Sequence, residues 1–200
     1  ITWSGDGTNA NAHFWGHEVL GTDRDTRLDF GGNTYRVTNE LIVGADSGHD
    51  AKVTPQNGRL VVTNAGRTAT VIVGPSGGGP AQFLPTHSGL DFEVDRIIAT
   101  NPGNSQINFG AGTQTVWNGF TYGHGSWLPF SAGVCRFRGG TSTWDSAGWY
   151  LSYNGTLIVD GPSTHMGGPG YMYVGYGGGP SHFVVSNGAE VVSEGRLNLA

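Results

Sequence analysis

The chain has 200 residues, 36 of them glycine, with 12% charged residues and a net charge of −5. Phosphate backbones need clustered cations, and here nine arginines and Lys52 are scattered among 15 acids, which speaks against nucleic acid. No apolar run reaches the length of a membrane span, and abundant glycine without a G-x-y period excludes collagen.

The opening "ITWSGDGTNA" has no basic leader followed by an apolar stretch, so any signal peptide is expected to have been removed. "HFWGHE" then sets His13 and His17 four apart, a spacing that serves zinc on a helix, but the context is rich in Gly and Trp and no third ligand is specified. "TDRDTRLD" carries Asp23, Asp25 and Asp29, spaced to share Ca²⁺ on one loop, yet it lacks the mid-loop Gly and terminal Glu of an EF-hand. The simpler expectation is that these acids cap a turn and pair with Arg24 and Arg27. No metal and no cofactor is expected.

From residue 40 onward the chain reads as short strands separated by Gly, Asn, Pro or Ser: "ELIVG", "TATVIVG", "LDFEVDRIIAT", "SQINFG", "QTVWNGF", "VCRFRGG", "GWYLSY", "GYMYVGY", "HFVVSN" and "GRLNLA". Val, Thr and aromatics suit a pleated surface, and helix formers are scarce, so the class is all-β. "NGRLVVTN" (57–64), "NGTLIVDG" (154–161) and "NGAEVVSEG" (187–195) each place Asn-Gly, which tolerates positive φ, ahead of an apolar run. Asn154-Gly155-Thr156 is formally a glycosylation sequon and reads here as turn chemistry. The single cysteine, Cys135, lies amid strand residues and is expected to be a small buried apolar group.

Many short strands make either a sandwich of hairpins or a coil that returns the same kind of segment every ~20–25 residues. "WYLSY" at 149, "YMYVG" at 171 and "RLNLA" at 196 favour the coil, a parallel β-solenoid, over a β-sandwich. The tetrapeptide Gly-Gly-Gly-Pro occurs at 77–80 and at 177–180, each followed by a phenylalanine, Phe83 and Phe183. The expectation is one kind of corner used twice, with glycine permitting close backbone approach and each Phe pointing inward. No Lys-Ser/Thr and no helix follows, so a phosphate loop is not indicated.

"ITWSGDGTNANAHFWG", "DTRLDFGGNTYRVTNEL", "RFRGGTSTW" and "YMYVGYGGGPSHFVVSNGAEVVSEGRLNL" resemble secreted bacterial proteins carrying the autotransporter-associated β-strand repeat, of the passenger β-solenoid type. The resemblance implies a right-handed parallel β-solenoid at the cell surface or outside the cell. Such proteins are usually long anchored arrays, and no barrel or anchor is visible here, so the expectation is an excised passenger segment or a short subunit that stacks non-covalently. Residues 1–40 read as an entry segment and 41–200 as the coils of a single domain.

Solenoids also carry polysaccharide hydrolases and lyases. Gly123-His124-Gly125 resembles one motif of the polygalacturonases, but general acid and base roles need two close carboxylates. No Asp-Asp pair is present and the only lysine is far upstream, so His124 reads as a turn residue and the chain as no enzyme. No nucleophile motif such as G-x-S-x-G appears.

Thirteen of the 22 aromatic residues fall between Trp117 and Tyr176. An interior ladder would use them as core. A recognition face for glycans or a partner would instead use Trp127, Trp149, Tyr150, Tyr153, Tyr171, Tyr173 and Tyr176. On "YMYVGY", Tyr171 and Tyr173 share one side of the strand and Met172 takes the other.

The functional expectation is a non-catalytic extracellular structural protein, a self-assembling filament subunit stacking head to tail, with no membrane insertion. Its assembly edges would be Ile1, Thr2 and Trp3 at one end and Arg196, Leu197, Asn198 and Leu199 at the other. The alternative is a carbohydrate-binding adhesin or receptor-binding segment, and least supported is a polysaccharide-active enzyme.

Overall fold

A computed structural model describes residues 7–14, 25–45, 50–100, 105–123, 128–144 and 148–199. These form a β-solenoid of about 6 turns without helix. Strands β1 (Gly7–Phe14), β2 (Asp25–Asp29), β3 (Thr34–Val43), β4 (Ala51–Gln56), β5 (Gly58–Val62) and β6 (Thr70–Val73) open the stack. The chain continues through β7 (Ala81–Phe83), β8 (Leu90–Val94), β9 (Arg96–Ala99), β10 (Ser105–Ile107), β11 (Gly112–Val116) and β12 (Phe120–Tyr122). After these come β13 (Leu128–Ser131), β14 (Gly133–Phe137), β15 (Gly140–Trp144), β16 (Gly148–Ser152), β17 (Thr156–Asp160) and β18 (Thr164–Gly168). The last described coil adds β19 (Tyr171–Tyr176), β20 (His182–Ser186), β21 (Glu190–Ser193) and β22 (Leu197–Leu199).

Each coil lays one strand on each of three faces. The first face stacks β3, β5, β8, β11, β14, β17 and β20, and the second stacks β3, β6, β9, β12, β15, β18 and β21. β3 serves both because residues 34–37 pair with β5 and residues 40–43 pair with β6. The third face holds β2-β4-β7-β10 and β13-β16-β19-β22, joined by a bridge between Phe109 and Phe130. The pairings are parallel, as coiling requires and hairpins do not allow, which sets the sandwich aside. Coiling also begins before residue 41: β1 pairs with β3, and β2 with β4, so the expected entry segment already belongs to the stack.

The core is the column enclosed by the three faces. Alternation sends Leu157 and Val159 inward and leaves Ile158 half-exposed, and the same rule holds coil after coil. An aromatic file runs through the later coils. Phe109 stacks on Phe130 at 5.2 Å, Phe130 meets Trp149 edge-on at 5.9 Å, and Trp149 meets Phe183 edge-on at 5.3 Å. Trp149, expected on a recognition face, is 0% exposed and belongs to this file. The reason is register: Trp149 sits opposite Met172, which sits opposite Leu197, all at inward positions of the third face. Cys135 is buried as expected, and burial pushes its thiol well above the usual range.

The two Gly-Gly-Gly-Pro corners are not equivalent. The first joins β6 on the second face to β7 on the third, and the second joins β19 on the third face to β20 on the first. Both phenylalanines nevertheless point inward: Phe83 is fully buried, and Phe183 is half-buried against Trp149.

Candidate functional site

On the third face, the outward positions of β16 and β19 are tyrosines. Tyr150 lies opposite Tyr173, with Asn198 next in line on β22. Tyr171 and Tyr173 flank Met172 on the opposite side of the strand, as alternation predicted, and it is Met172 that is buried, at 5% exposure. Their rings are 6.3 Å apart.

Two backbone irregularities enlarge this surface. Simple alternation from Tyr173 would send Tyr176 inward. Instead the register shifts between Leu151 and Ser152, so that Ser152 pairs with Tyr176, and Gly175 takes φ of 90°. A bulge with glycine in the left-handed region re-aims the next side chain. Tyr176 thereby comes to the outside, 55% exposed, with its ring 5.3 Å from Tyr150 and 5.9 Å from Tyr173.

The second irregularity is Tyr153. The chain turns from β16 to β17 through Tyr153 and Asn154, with φ of 52° and 64°, closed by the Gly155 amide donating to the Ser152 carbonyl at 3.0 Å. Positive φ at both central residues is a turn where Asn and Gly are the usual occupants, and a bulky tyrosine there is an outlier costing about 1–2 kcal/mol. The sequence suggested that Asn154-Gly155 would supply this turn, but the left-handed pair lies one residue earlier. Tyr153 is 57% exposed, and a side chain added at Gly177 would come within 3.0 Å of its phenol. The glycine of the second corner therefore makes room for the ring.

Five of the seven tyrosines thus share one outward face, and Tyr153, Tyr171 and Tyr176 are the most open of them. Partial burial, together with the Tyr153 and Tyr176 hydroxyls nearby, pushes the Tyr150 phenol above its usual value, so it is a neutral hydrogen-bonding group at physiological pH. The face can stack on the C–H side of a sugar ring while its hydroxyls exchange hydrogen bonds with sugar hydroxyls. Trp127 lies outside the described residues.

The remaining expected sites fare as follows. His17, Asp23, Arg24, His124 and the edge residues Ile1, Thr2 and Trp3 lie outside the described residues, and His13 falls on β1. Asp29 caps a turn, accepting the Gly31 amide at 2.9 Å and the Asn57 side-chain amide at 3.0 Å, which holds its carboxyl below the usual range. Among the described residues, no group of three or more His, Cys, Asp and Glu side chains could hold a metal. Arg196 precedes β22, its carbonyl accepting the Met172 amide at 2.8 Å. Leu197 and Leu199 continue the inward line of Met172 and Val174 and are 51% and 73% exposed.

Sequence reasoning missed two polar clusters. Asp91 and Glu93 alternate outward on β8 and are both held by Arg59, whose Nε lies 3.2 Å from Asp91. The "DFE" alternation, which sets two acids on one side of a strand, was the available signal. The second cluster is on the second face: His165 Nδ1 lies 3.0 Å from a Glu190 carboxylate oxygen beside a groove of about 440 Å³. Its floor strand, "THMGG", lacks the apolar alternation that marks strands in sequence.

The architecture defines a parallel β-solenoid with an aromatic outer face. No family model matches the chain, and neither the curated proteins nor the solved structures provide a match.

Proposed function

We propose that the chain is a non-catalytic extracellular structural protein, a β-solenoid scaffold whose tyrosine face adheres to surface glycans. One observation carries this reading. Five tyrosines are gathered outward: the bulge at Gly175 re-aims Tyr176, and the corner between the third and first faces, which also takes a left-handed residue at Asn57 and Ala132, is occupied here by Tyr153. The resemblance of the sequence to autotransporter-associated repeat proteins supports the cell-surface setting. The test is a glycan array followed by calorimetry, comparing the chain with a Tyr153→Ser/Tyr176→Ser variant. Loss of glycan affinity with unchanged circular dichroism is expected. A variant that binds as well as the parent would sink the reading.

A second reading, head-to-tail stacking into a filament, is favoured by the coil from 182 to 199. Among the described residues β20, β21 and β22 pair only with β17, β18 and β19, and inward-facing Val185, Leu197 and Leu199 are 45%, 51% and 73% exposed. A second copy's coil would cover these side chains and satisfy the open strand edges. Sedimentation of the chain beside Leu197→Asp/Leu199→Asp tests it: concentration-dependent growth restricted to the parent is expected, and identical monomers would overturn it. The glycan reading ranks first because the tyrosine face is built within the described coils, whereas the open edges lie where the described residues stop.

A further inference from the structure

The second face carries a groove just around the corner from the tyrosines. Two outward ladders cross it: Thr141 opposite His165 opposite Glu190, and Thr143 opposite Gly167 opposite Val192. Gly167 has no side chain to continue the second ladder, so the surface sinks between Thr143 and Val192 to give the space of about 440 Å³. Beyond it the Glu194 amide donates to the Gly168 carbonyl at 3.1 Å, placing Glu194 at the rim. Pro169 and Val192 supply apolar lining, Thr141, Thr143 and His165 supply polar groups, and no lysine or arginine is among the described lining residues.

The groove and the tyrosines are neighbours along the chain. Gly168 lines the groove and Tyr171 begins the tyrosine face, a span of three residues that cannot exceed about 10 Å. The corner between them is pinned by the Ser193 hydroxyl, which donates to the Gly170 carbonyl at 3.0 Å. One extended ligand can therefore touch both.

We infer that this groove is a second subsite of the ligand held by the tyrosine face, and that it takes an uncharged pyranose unit while rejecting acidic sugars. This rests on the glycan reading above. A small apolar surface beside hydroxyl, imidazole and carboxylate groups is suited to a sugar ring, whose C–H face and hydroxyl edge differ in the same way. Carboxylate oxygens readily accept hydrogen bonds from hydroxyls, but Glu190 and Glu194 repel a uronate or sulfate, and no lysine or arginine among the described lining residues offsets them.

Calorimetry with cellohexaose, chitohexaose, mannohexaose and hexagalacturonate tests the inference. A neutral hexamer is expected to bind and hexagalacturonate is not. Thr143→Phe fills the groove from an exposed strand position that tolerates aromatics, and should weaken the neutral hexamer about tenfold with unchanged circular dichroism. Glu190→Gln/Glu194→Gln should admit hexagalacturonate. Neutral binding that falls with Tyr153→Ser/Tyr176→Ser but ignores Thr143→Phe would overturn the groove and leave the tyrosine reading standing. Binding that falls with Thr143→Phe but ignores the tyrosine variant would overturn the tyrosine reading. If no hexamer binds, both fall.

Discussion

Gly77–Pro80 turns the chain from the second face to the third deep within the stack, whereas Gly177–Pro180 turns it from the third face to the first beside the last described coil. The same glycine does different work at the two sites. Gly78 is set against the preceding coil, where an added Cβ would collide with the Gly44 carbonyl oxygen. Its counterpart Gly178 has open space around it but takes φ of 94°. Conversely, Gly77 has open space at φ of 80°, while Gly177 at 79° makes room for Tyr153. A glycine-rich phrase thus specifies permission, either to crowd or to turn left-handed, and its neighbours decide which is used.

The largest expected difference lies in the phenylalanines that follow. Phe83 is fully buried and edge-on to Phe92 at 5.3 Å, so Phe83→Ala should cost about 4 kcal/mol. Phe183, half-buried and partnered by Trp149, should cost about 2 kcal/mol or less when cut to Ala. Urea unfolding measures both. Equal losses would mean that the coil at 182–199 is as well covered as the interior, which would itself be evidence for a stacked copy.

Next come the glycines. Gly78→Ala forces backbone apart between two coils and should destabilise by about 3 kcal/mol, in the upper range for overpacking. Gly178→Ala meets nothing and suffers only its left-handed backbone, about 1 kcal/mol. A reversal of that order by thermal melting would refute the division between crowding and turning.

These pairs also mark how far the sequence was legible. The coil period was readable because strand-like phrases recur at 149, 171 and 196, and alternation set Tyr171 and Tyr173 on the side opposite Met172, while the inward register of Trp149, Met172 and Leu197 shows only in the pairing. The inward Phe residues were readable too. What was not readable depended on contacts between coils. Gly-Gly-Gly-Pro carries no side chain to say which face follows, so two different corners looked alike. Trp149 and Tyr150 are both amphipathic aromatics, and only the partner strand tells which one faces in. The bulge at Gly175 shifts one register step and sends Tyr176 outward, against the simple alternation of its strand. β18 went unseen because His165, Gly167 and Gly168 belong to a groove rather than to an apolar face.

A smaller effect of opposite sign is expected at Tyr153. Asn accepts its left-handed backbone more easily, so Tyr153→Asn should stabilise the chain, by under about 1 kcal/mol because the contact at Gly177 is lost, while glycan affinity falls. Stability and binding moving in opposite directions would identify strain kept for recognition. A variant that is both less stable and equally adhesive would make Tyr153 a packing residue.

The smallest effect belongs to the ties between the last two coils. Asp160 accepts the Ser186 hydroxyl at 2.8 Å and the Asn187 side-chain amide at 2.6 Å, and these hold its carboxyl below the usual 3.8, helped by Arg138 at 4.0 Å. A carboxyl depressed on folding contributes stability above its unfolded-state pKa and loses it as the pH falls through the lower folded value. Asp160→Asn should therefore melt below the parent at neutral pH, with the gap closing as the pH falls below the unfolded-state value of 3.8 and through the lower folded one. Because Asp160 is only half-buried and Arg138 is partly exposed, added salt should shrink the Arg138 share of that gap but leave the two hydrogen bonds. A gap independent of pH would place the tie in shape rather than charge, and would leave the corner at Gly177–Pro180 to hold the last coil in place.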